Sequence, residues 1–180
     1  HLHTGDEQRP LDLNALKLAL QTDAGKADAF AVASVYSVRN PAHEREAQRL
    51  IRELTGCPVT ASCDLSNALH GPRRALTAAF NARIISLIVA LELAVETSMK
   101  RLHINAPIMM VKGDGSIAPA SVVVDRPIET ILSGPAASVI GARFLAGISD
   151  FVISDIGGTT TDVATVKNGW PNINEEGSYV

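Results

Sequence analysis

Residues 151–166 carry the order of side chains best suited to chemistry in this sequence. An apolar run ends in Asp155, Gly157 and Gly158 form a bend, Thr159, Thr160 and Thr161 follow, and Asp162 lies in the returning segment. The two glycines let backbone N–H groups approach an anion with no Cβ in the way, and Thr159 and Thr160 add hydroxyl donors for phosphate oxygens. Asp155, at the end of its strand, suits a Mg2+ ion held through water, because Mg2+ takes oxygen ligands and keeps much of its hydration shell. A bound triphosphate needs both provisions. The plain alternative is a hairpin whose glycines only turn and whose threonines only favour a strand. Two carboxylates flanking the bend directly after an apolar strand favour phosphate binding. The pattern is neither a P-loop, since no Gly-Lys-Ser/Thr follows, nor GxGxxG.

Other candidates carry both a functional and a structural reading. Ser133-Gly134-Pro135-Ala136 opens a helix, where Gly134 could help bind phosphate or serve close packing. His43 and Glu44 stand at another helix start, where an acid beside the positive end of the dipole is ordinary capping chemistry. Asp114, in Gly113-Asp114-Gly115-Ser116, could touch substrate or metal, but a solvated turn aspartate is the commoner role. His70 and His103 mark the two ends of a long helix. His1 and His3 could ligate a metal, though a flexible terminus is the ordinary reading of such a pair.

Several elements must hold these residues in place. Leu13, Leu16 and Leu20 recur at helical spacing, and residues 29–36 form a short, nearly continuous apolar run suited to a buried strand. Asn40 offers an N-cap and Pro41 a first helical position; Ala47, Leu50, Ile51 and Leu54 then share a face until Gly56. Residues 58–61 read as another strand. Residues 71–102 read as one long helix with Leu76, Phe80, Ile84, Leu87, Ile88, Leu91 and Val95 in steps of three and four, expected to be buried on more than one side. Residues 107–111 are predicted to be a buried strand and residues 128–132 an extended piece. A small-faced helix is predicted from Gly134 to Ala146, stopped by Gly147, and Asn168-Gly169 marks a tight turn.

With 46% hydrophobic and only 4% aromatic residues, the 180-residue chain fits an α/β protein able to bury a sizeable core. A net charge of −3, with both signs scattered, offers no basic stripe to nucleic acid. Cys57 and Cys63 match no common zinc spacing and are read as reduced thiols. The longest apolar run, residues 84–95, is too short to cross a bilayer, and the polar first residues contain no signal-peptide core. No membrane partner and a cytoplasmic setting are the expectations. The first residue, His1, and the last, Val180, suggest an internal piece of a longer protein.

Three ordered stretches carry a family resemblance. Asp155-Ile156-Gly157-Gly158-Thr159-Thr160-Thr161-Asp162-Val163-Ala164 resembles the second phosphate loop of the actin, sugar-kinase and Hsp70 ATPase superfamily, in the wording of the hydantoinase A/5-oxoprolinase family. Ser37-Val38-Arg39-Asn40-Pro41-Ala42-His43-Glu44 resembles that family's S-x-x-N-P-x-H-E stretch. Residues 126–137, from Arg126-Pro127 through Ser133-Gly134-Pro135-Ala136-Ala137, resemble its R-P-[VI]-E-T-[IL]-x-S-G-P-A-A signature.

The resemblance implies a partial ribonuclease-H-like lobe of an actin-like ATPase over residues 9–147. Residues 148–180 would then start the second lobe with the phosphate-binding hairpin. It implies ATP and Mg2+ as cofactors and a small cyclic amide as substrate, with Asp155 and Asp162 catalytic and Asp155 on the metal. Gly134, Gly157, Gly158, Thr159 and Thr160 would contact nucleotide. A second hydantoinase-type subunit and an oligomeric parent are implied as well. The family's first phosphate loop and adenine-contacting segments are absent, so the piece alone is expected not to turn over ATP, and Gly113-Asp114-Gly115-Ser116 departs from the Ser-Asn-Gly-Gly of many relatives. The alternatives are a non-catalytic actin-like nucleotide-binding module and a sugar or acyl kinase.

Overall fold

The computed structural model describes residues 1–172; the end of the expected second piece, residues 173–180, lies outside the described residues. The chain is a mixed α/β structure of two compact units, one comprising His1–Ile108 and Ala120–Ile128, the other Met109–Pro119 and the residues from Glu129 on. In chain order the elements are α1 (Leu13–Asp23), β1 (Phe30–Val32), α2 (Ala42–Thr55), β2 (Val59–Ala61), α3 (Ser62–Leu65), α4 (Gly71–Arg101), β3 (Met109–Val111), β4 (Ile117–Pro119), α5 (Ala120–Val123), α6 (Ser133–Ala146), β5 (Phe151–Ile156), β6 (Thr161–Lys167) and β7 (Trp170–Pro171).

In the first unit β1 and β2 pair in parallel, Phe30 opposite Val59 and Val32 opposite Ala61, with α2 as the crossover that a parallel pair requires. Leu20, Ile51 and Val59 form the core, packed by Leu16, Phe30 and Val32. The spacing of α1 is therefore read correctly, with Leu18 left outside. Asn40 Oδ1 accepts from Ala42 N at 3.0 Å, and the helix is entered through Pro41, one residue later than predicted. Gly56 stops α2 in the left-handed region (φ 68°), its N–H on the Arg52 carbonyl.

The inner face of α2 departs from the apolar prediction. Leu54 is exposed, whereas Glu44 and Gln48 are buried beside Ala47 and Ile51. Glu44, only 1% exposed, accepts from Ser34 N (2.6 Å), Ser62 Oγ (2.9 Å) and Cys63 N (2.9 Å), so its partners are the loop after β1 and the start of α3 rather than its own helix end. This also explains why β1 stops at Val32 instead of running to residue 36: the Ser34 amide is drawn to Glu44, and residues 34–39 form a turn. Burial opposes the charge of Glu44, but the nearby Ser37 hydroxyl and the hydrogen bonds from the Cys63 and Ser34 amides and the Ser62 hydroxyl outweigh it and hold the carboxyl below its ordinary value. The same environment pushes the Cys63 thiol up to about 11, first through burial and then through Glu44.

Buried Arg74, on α4, grips the same loop. Its guanidinium donates to the carbonyls of Ser34 (2.7 Å), Val35 (2.9 Å) and Ala68, and to Ser37 Oγ (3.2 Å). A Cβ at Gly71 would lie 3.2 Å from Val35 Cα, so the start of α4 rests directly on that backbone. The buried face of α4 is Gly71, Arg74, Ala78, Asn81, Ala82 and Ile85, all in its N-terminal half. Asn81 bonds Thr60 Oγ1, the Asp125 carbonyl and the Ile128 amide. The leucine stripe expected inside, including Leu76, Leu87 and Leu91, is exposed. By length and composition alone α4 could cross a membrane, although residues 84–95 taken by themselves fall short; 22% of its most apolar window is buried.

In the second unit β3 and β4 pair antiparallel around Gly113–Ser116, and β5, β6 and β7 form an antiparallel sheet in that order. The strand predicted at 107–111 is thus shorter and, at Met109, exposed. A Cβ at Gly113 would fall 2.2 Å from the Ile131 carbonyl oxygen, and Gly115 has φ 82°, so both positions demand glycine. Asp114 accepts from Ser116 Oγ (2.7 Å) and Ser116 N (2.9 Å), which hold its carboxyl below the ordinary range and give it the turn-closing role. The extended piece expected at 128–132 is instead a 3-10 turn over Pro127–Thr130, with Leu132 left-handed at φ 65° ahead of α6. Asn168 (φ 52°) and Gly169 (φ 77°) make the β6–β7 turn that the Asn-Gly pair predicts.

Because the folded-state pKa of Glu44 is depressed, its contribution is complete above the ordinary value of 4.5 and disappears as pH falls through the folded value. Glu44→Gln is expected to cost about 2–4 kcal/mol in urea unfolding at pH 7 and to flatten the loss of stability in acid; an unchanged acid profile would contradict the assignment. Cys63 should also resist alkylation at pH 8 far longer than Cys57, as timed by mass spectrometry of the folded chain.

Candidate functional site

Antiparallel pairing of β5 with β6 sets Asp155 opposite Asp162 and Ile156 opposite Thr161, and the bend between them is Gly157-Gly158-Thr159-Thr160. Residues opposed across a ladder project to the same face. Phe151, Ile153 and Asp155 are therefore on one face with Asp162, Ala164 and Val166, while Val152, Ser154 and Ile156 are on the other and exposed. The first face is the more protected one, with Val166 buried and Phe151, Ile153 and Asp155 partly so. Its apolar end fixes the hairpin and its far end carries two carboxylates.

Like charges directly opposite in a ladder destabilise it. Asp155 is steadied by the Ser138 hydroxyl of α6, which donates to its Oδ2, whereas Asp162 is exposed. Ser138 carried no signal in the sequence beyond its position four residues after Gly134, a spacing that puts both on one face of α6. Gly134 itself stands in the first turn of that helix, where a Cβ would meet nothing within 4 Å and no side chain caps the end. The structure thus joins Asp155 to the helix whose open first turn contains Gly134.

The bend is closed by Gly157 N–H on the Thr160 carbonyl at 2.9 Å, so this amide is already engaged. Among the described residues the amides of Gly158, Thr159 and Thr160 and the hydroxyls of Thr159 and Thr160 make no hydrogen bond, and all four bend residues are exposed. Three unengaged amides, two hydroxyls and two adjacent carboxylates form an all-oxygen-and-amide set. Such a set suits phosphate oxygens and a hard divalent cation.

Comparison with known proteins converges on one lineage. Residues 74–179 match the model of the hydantoinase/oxoprolinase family, and residues 1–55 match that of the hydantoinase/oxoprolinase N-terminal region. The chain belongs to the hydantoinase/oxoprolinase family. It is 26% identical to caprolactamase subunit alpha of Pseudomonas jessenii over 98% of its own length and 26% of that protein's. It is 28% identical to the acetophenone carboxylase gamma subunit of Aromatoleum aromaticum over 91% of its length and 23% of the relative's. The crystal structure of ATP-dependent caprolactamase from Pseudomonas jessenii superimposes with a TM-score of 0.81 at 26% identity, covering 92% of this chain and 25% of that one. The chain spans about a quarter of the length of these relatives.

Replacing Asp162 by Asn removes one of two opposed charges. In metal-free buffer this substitution is expected to raise stability by about 0.2–1 kcal/mol, and added Mg2+ should shrink the difference by stabilising only the parent. Thermal melts with and without Mg2+ check this; a destabilised Asp162→Asn chain in metal-free buffer would refute the strain.

Proposed function

We propose that this family member is part of an ATP-dependent enzyme that opens a small cyclic amide, and that the β5–β6 bend holds the nucleotide's phosphates. The observation that carries the reading is the pairing of Asp155 with Asp162 beside a bend that offers three unengaged amides. Asp155, oriented by Ser138, holds Mg2+ through water, and Asp162 supplies the second carboxylate of the catalytic pair. Gly158, Thr159 and Thr160 donate to phosphate oxygens, while Gly157, whose amide closes the bend, contributes room rather than a donor. Gly134 adds the positive end of α6.

A lactam is a poor electrophile; bound ATP supplies the phosphoryl group that makes its oxygen a leaving group. The part of the chain is then to orient the phosphates and neutralise charge at the bend. In architecture, residues 9–147 are read as the latter part of a ribonuclease-H-like, actin-like lobe and residues 148–180 as the start of a second. On this reading the isolated chain is inactive. A second subunit fits the names of two relatives, one a subunit alpha and the other a subunit gamma. Ketone carboxylation is the second reading, favoured by the likeness to the acetophenone carboxylase subunit.

The intact protein given ATP with 5-oxoproline, a hydantoin or caprolactam is expected to release ring-opened product with phosphate. Asp155→Ala should lower kcat/KM by about 10²–10³-fold. ATP binding without turnover would indicate a non-catalytic module, a stable phosphorylated product a kinase, and a bicarbonate-dependent carboxylated product the second reading.

A further inference from the structure

We propose that His1, Glu7 and His43 form a site for a borderline divalent cation of the Zn2+ class, in the first unit and separate from the carboxylates of the hairpin. The terminus was expected to be free, but it is folded back. Leu2 N donates to the Asp6 carbonyl (2.8 Å) and Gly5 N to the Leu2 carbonyl (3.0 Å), a tight turn with Gly5 at φ 98° that returns Glu7 to the side of His1. Asn40 Nδ2 donates to the Gly5 carbonyl at 3.0 Å, docking the turn on the loop that leads into α2. A Cβ at Gly5 would lie 3.3 Å from Arg39 Cβ, so the contact is close.

That docking sets both residues against His43 in the first turn of α2. His43 Nε2 is 2.6 Å from Glu7 Oε1, and the rings of His1 and His43 stack at 3.9 Å with 21° between their planes. One donor atom from each of the three residues lies within 4.8 Å of the other two. Metal bonds of about 2.0–2.2 Å put donors in one coordination sphere about 3.3–3.6 Å apart. Binding one ion therefore requires the two stacked rings to turn out of their near-parallel planes and the Glu7 carboxylate to draw back from His43; His1 and His43 are only partly buried and Glu7 is exposed, which leaves room for both movements.

Stacked imidazoles exchange no hydrogen bond, and the carboxylate of Glu7 reaches one of them. A single cation satisfies both rings and the carboxylate together. Two imidazole nitrogens and one carboxylate oxygen select Zn2+, Co2+ or Ni2+ over Mg2+ or Ca2+, and three protein donors leave a fourth position for water or another ligand. The bound ion would fasten the 2–6 turn to the start of α2, one residue from buried Glu44.

Titration of the 180-residue chain with Zn2+ by calorimetry is expected to show one site with Kd of about 10 µM or tighter, a raised melting temperature, and shifted ring resonances for His1 and His43. Glu7→Ala, at an exposed position, and His43→Ala should each weaken binding about tenfold or more; His3→Ala, His70→Ala and Cys57→Ser should not. Acetylation of the α-amine should leave affinity unchanged, separating this site from chelation by the chain end. Absence of a saturable site, affinity unmoved by Glu7→Ala, or affinity lost on acetylation would each overturn the proposal.

Discussion

A carboxylate removed from water at the start of α2 is the constraint on which the first unit depends. Glu44 satisfies the amides of Ser34 and Cys63 and the hydroxyl of Ser62, so one side chain ties the loop after β1 to the first residues of α3 after β2. A buried charge without such partners costs several kcal/mol, and here donors from Ser34, Ser62 and Cys63 help to outweigh desolvation. Arg74 completes the arrangement from α4 by holding the carbonyls of the same β1–α2 loop and the Ser37 hydroxyl, which lies 3.4 Å from the Ser62 hydroxyl bound to Glu44. The charges are linked through a hydroxyl and backbone rather than as a direct ion pair, which makes the conformation of residues 34–37 part of the electrostatic balance.

The second unit is organised by a different opposition. The apolar end of the β5–β6 face is protected, and strict alternation then obliges Asp155 and Asp162 to share that face at its other end. A slip of one residue would turn Phe151 and Ile153 outward, so burial enforces the register that crowds the carboxylates. Packing in one half of the hairpin therefore fixes the placement of two carboxylates in the other.

Much of this was legible in the residues. The α1 spacing, the Gly56 and Gly147 stops and the Asn168-Gly169 turn follow from local chemistry, while the hairpin around Gly157-Gly158 was legible from its alternating apolar strand and is held by burial of one face. The face of α4 did not follow. Its leucines suggested the core, yet the buried line is Arg74, Ala78, Asn81, Ala82 and Ile85, because the helix lies close to the Val35 backbone and to polar groups of Thr60 and Asp125. Close approach selects small residues and buried bonds select polar ones, and hydrophobic periodicity is blind to both. Glu44 was misread for the same reason: a helix-start acid has a sufficient local explanation, and its long-range partners leave no mark in spacing. Ser138 likewise gains its meaning only when Asp155 arrives beside it.

The glycines of the bend separate folding from function. Asn168-Gly169 uses left-handed backbone, so its glycine answers a demand of the turn itself. Neither Gly157 nor Gly158 has a positive φ. A Cβ at Gly157 would press on the Thr160 carbonyl at 3.3 Å, a modest steric reason for glycine, but at Gly158 it would meet nothing within 4 Å. Strand and turn propensities therefore give no account of Gly158, and glycine carries an entropic cost on folding. What remains is the space outside the chain: an uncovered amide at the tip of a hairpin is useful to a ligand whose oxygens must come closer than a methyl group permits. On the proposed reading, Gly158 is thus the residue of the bend that a bound phosphate would require and the fold would not.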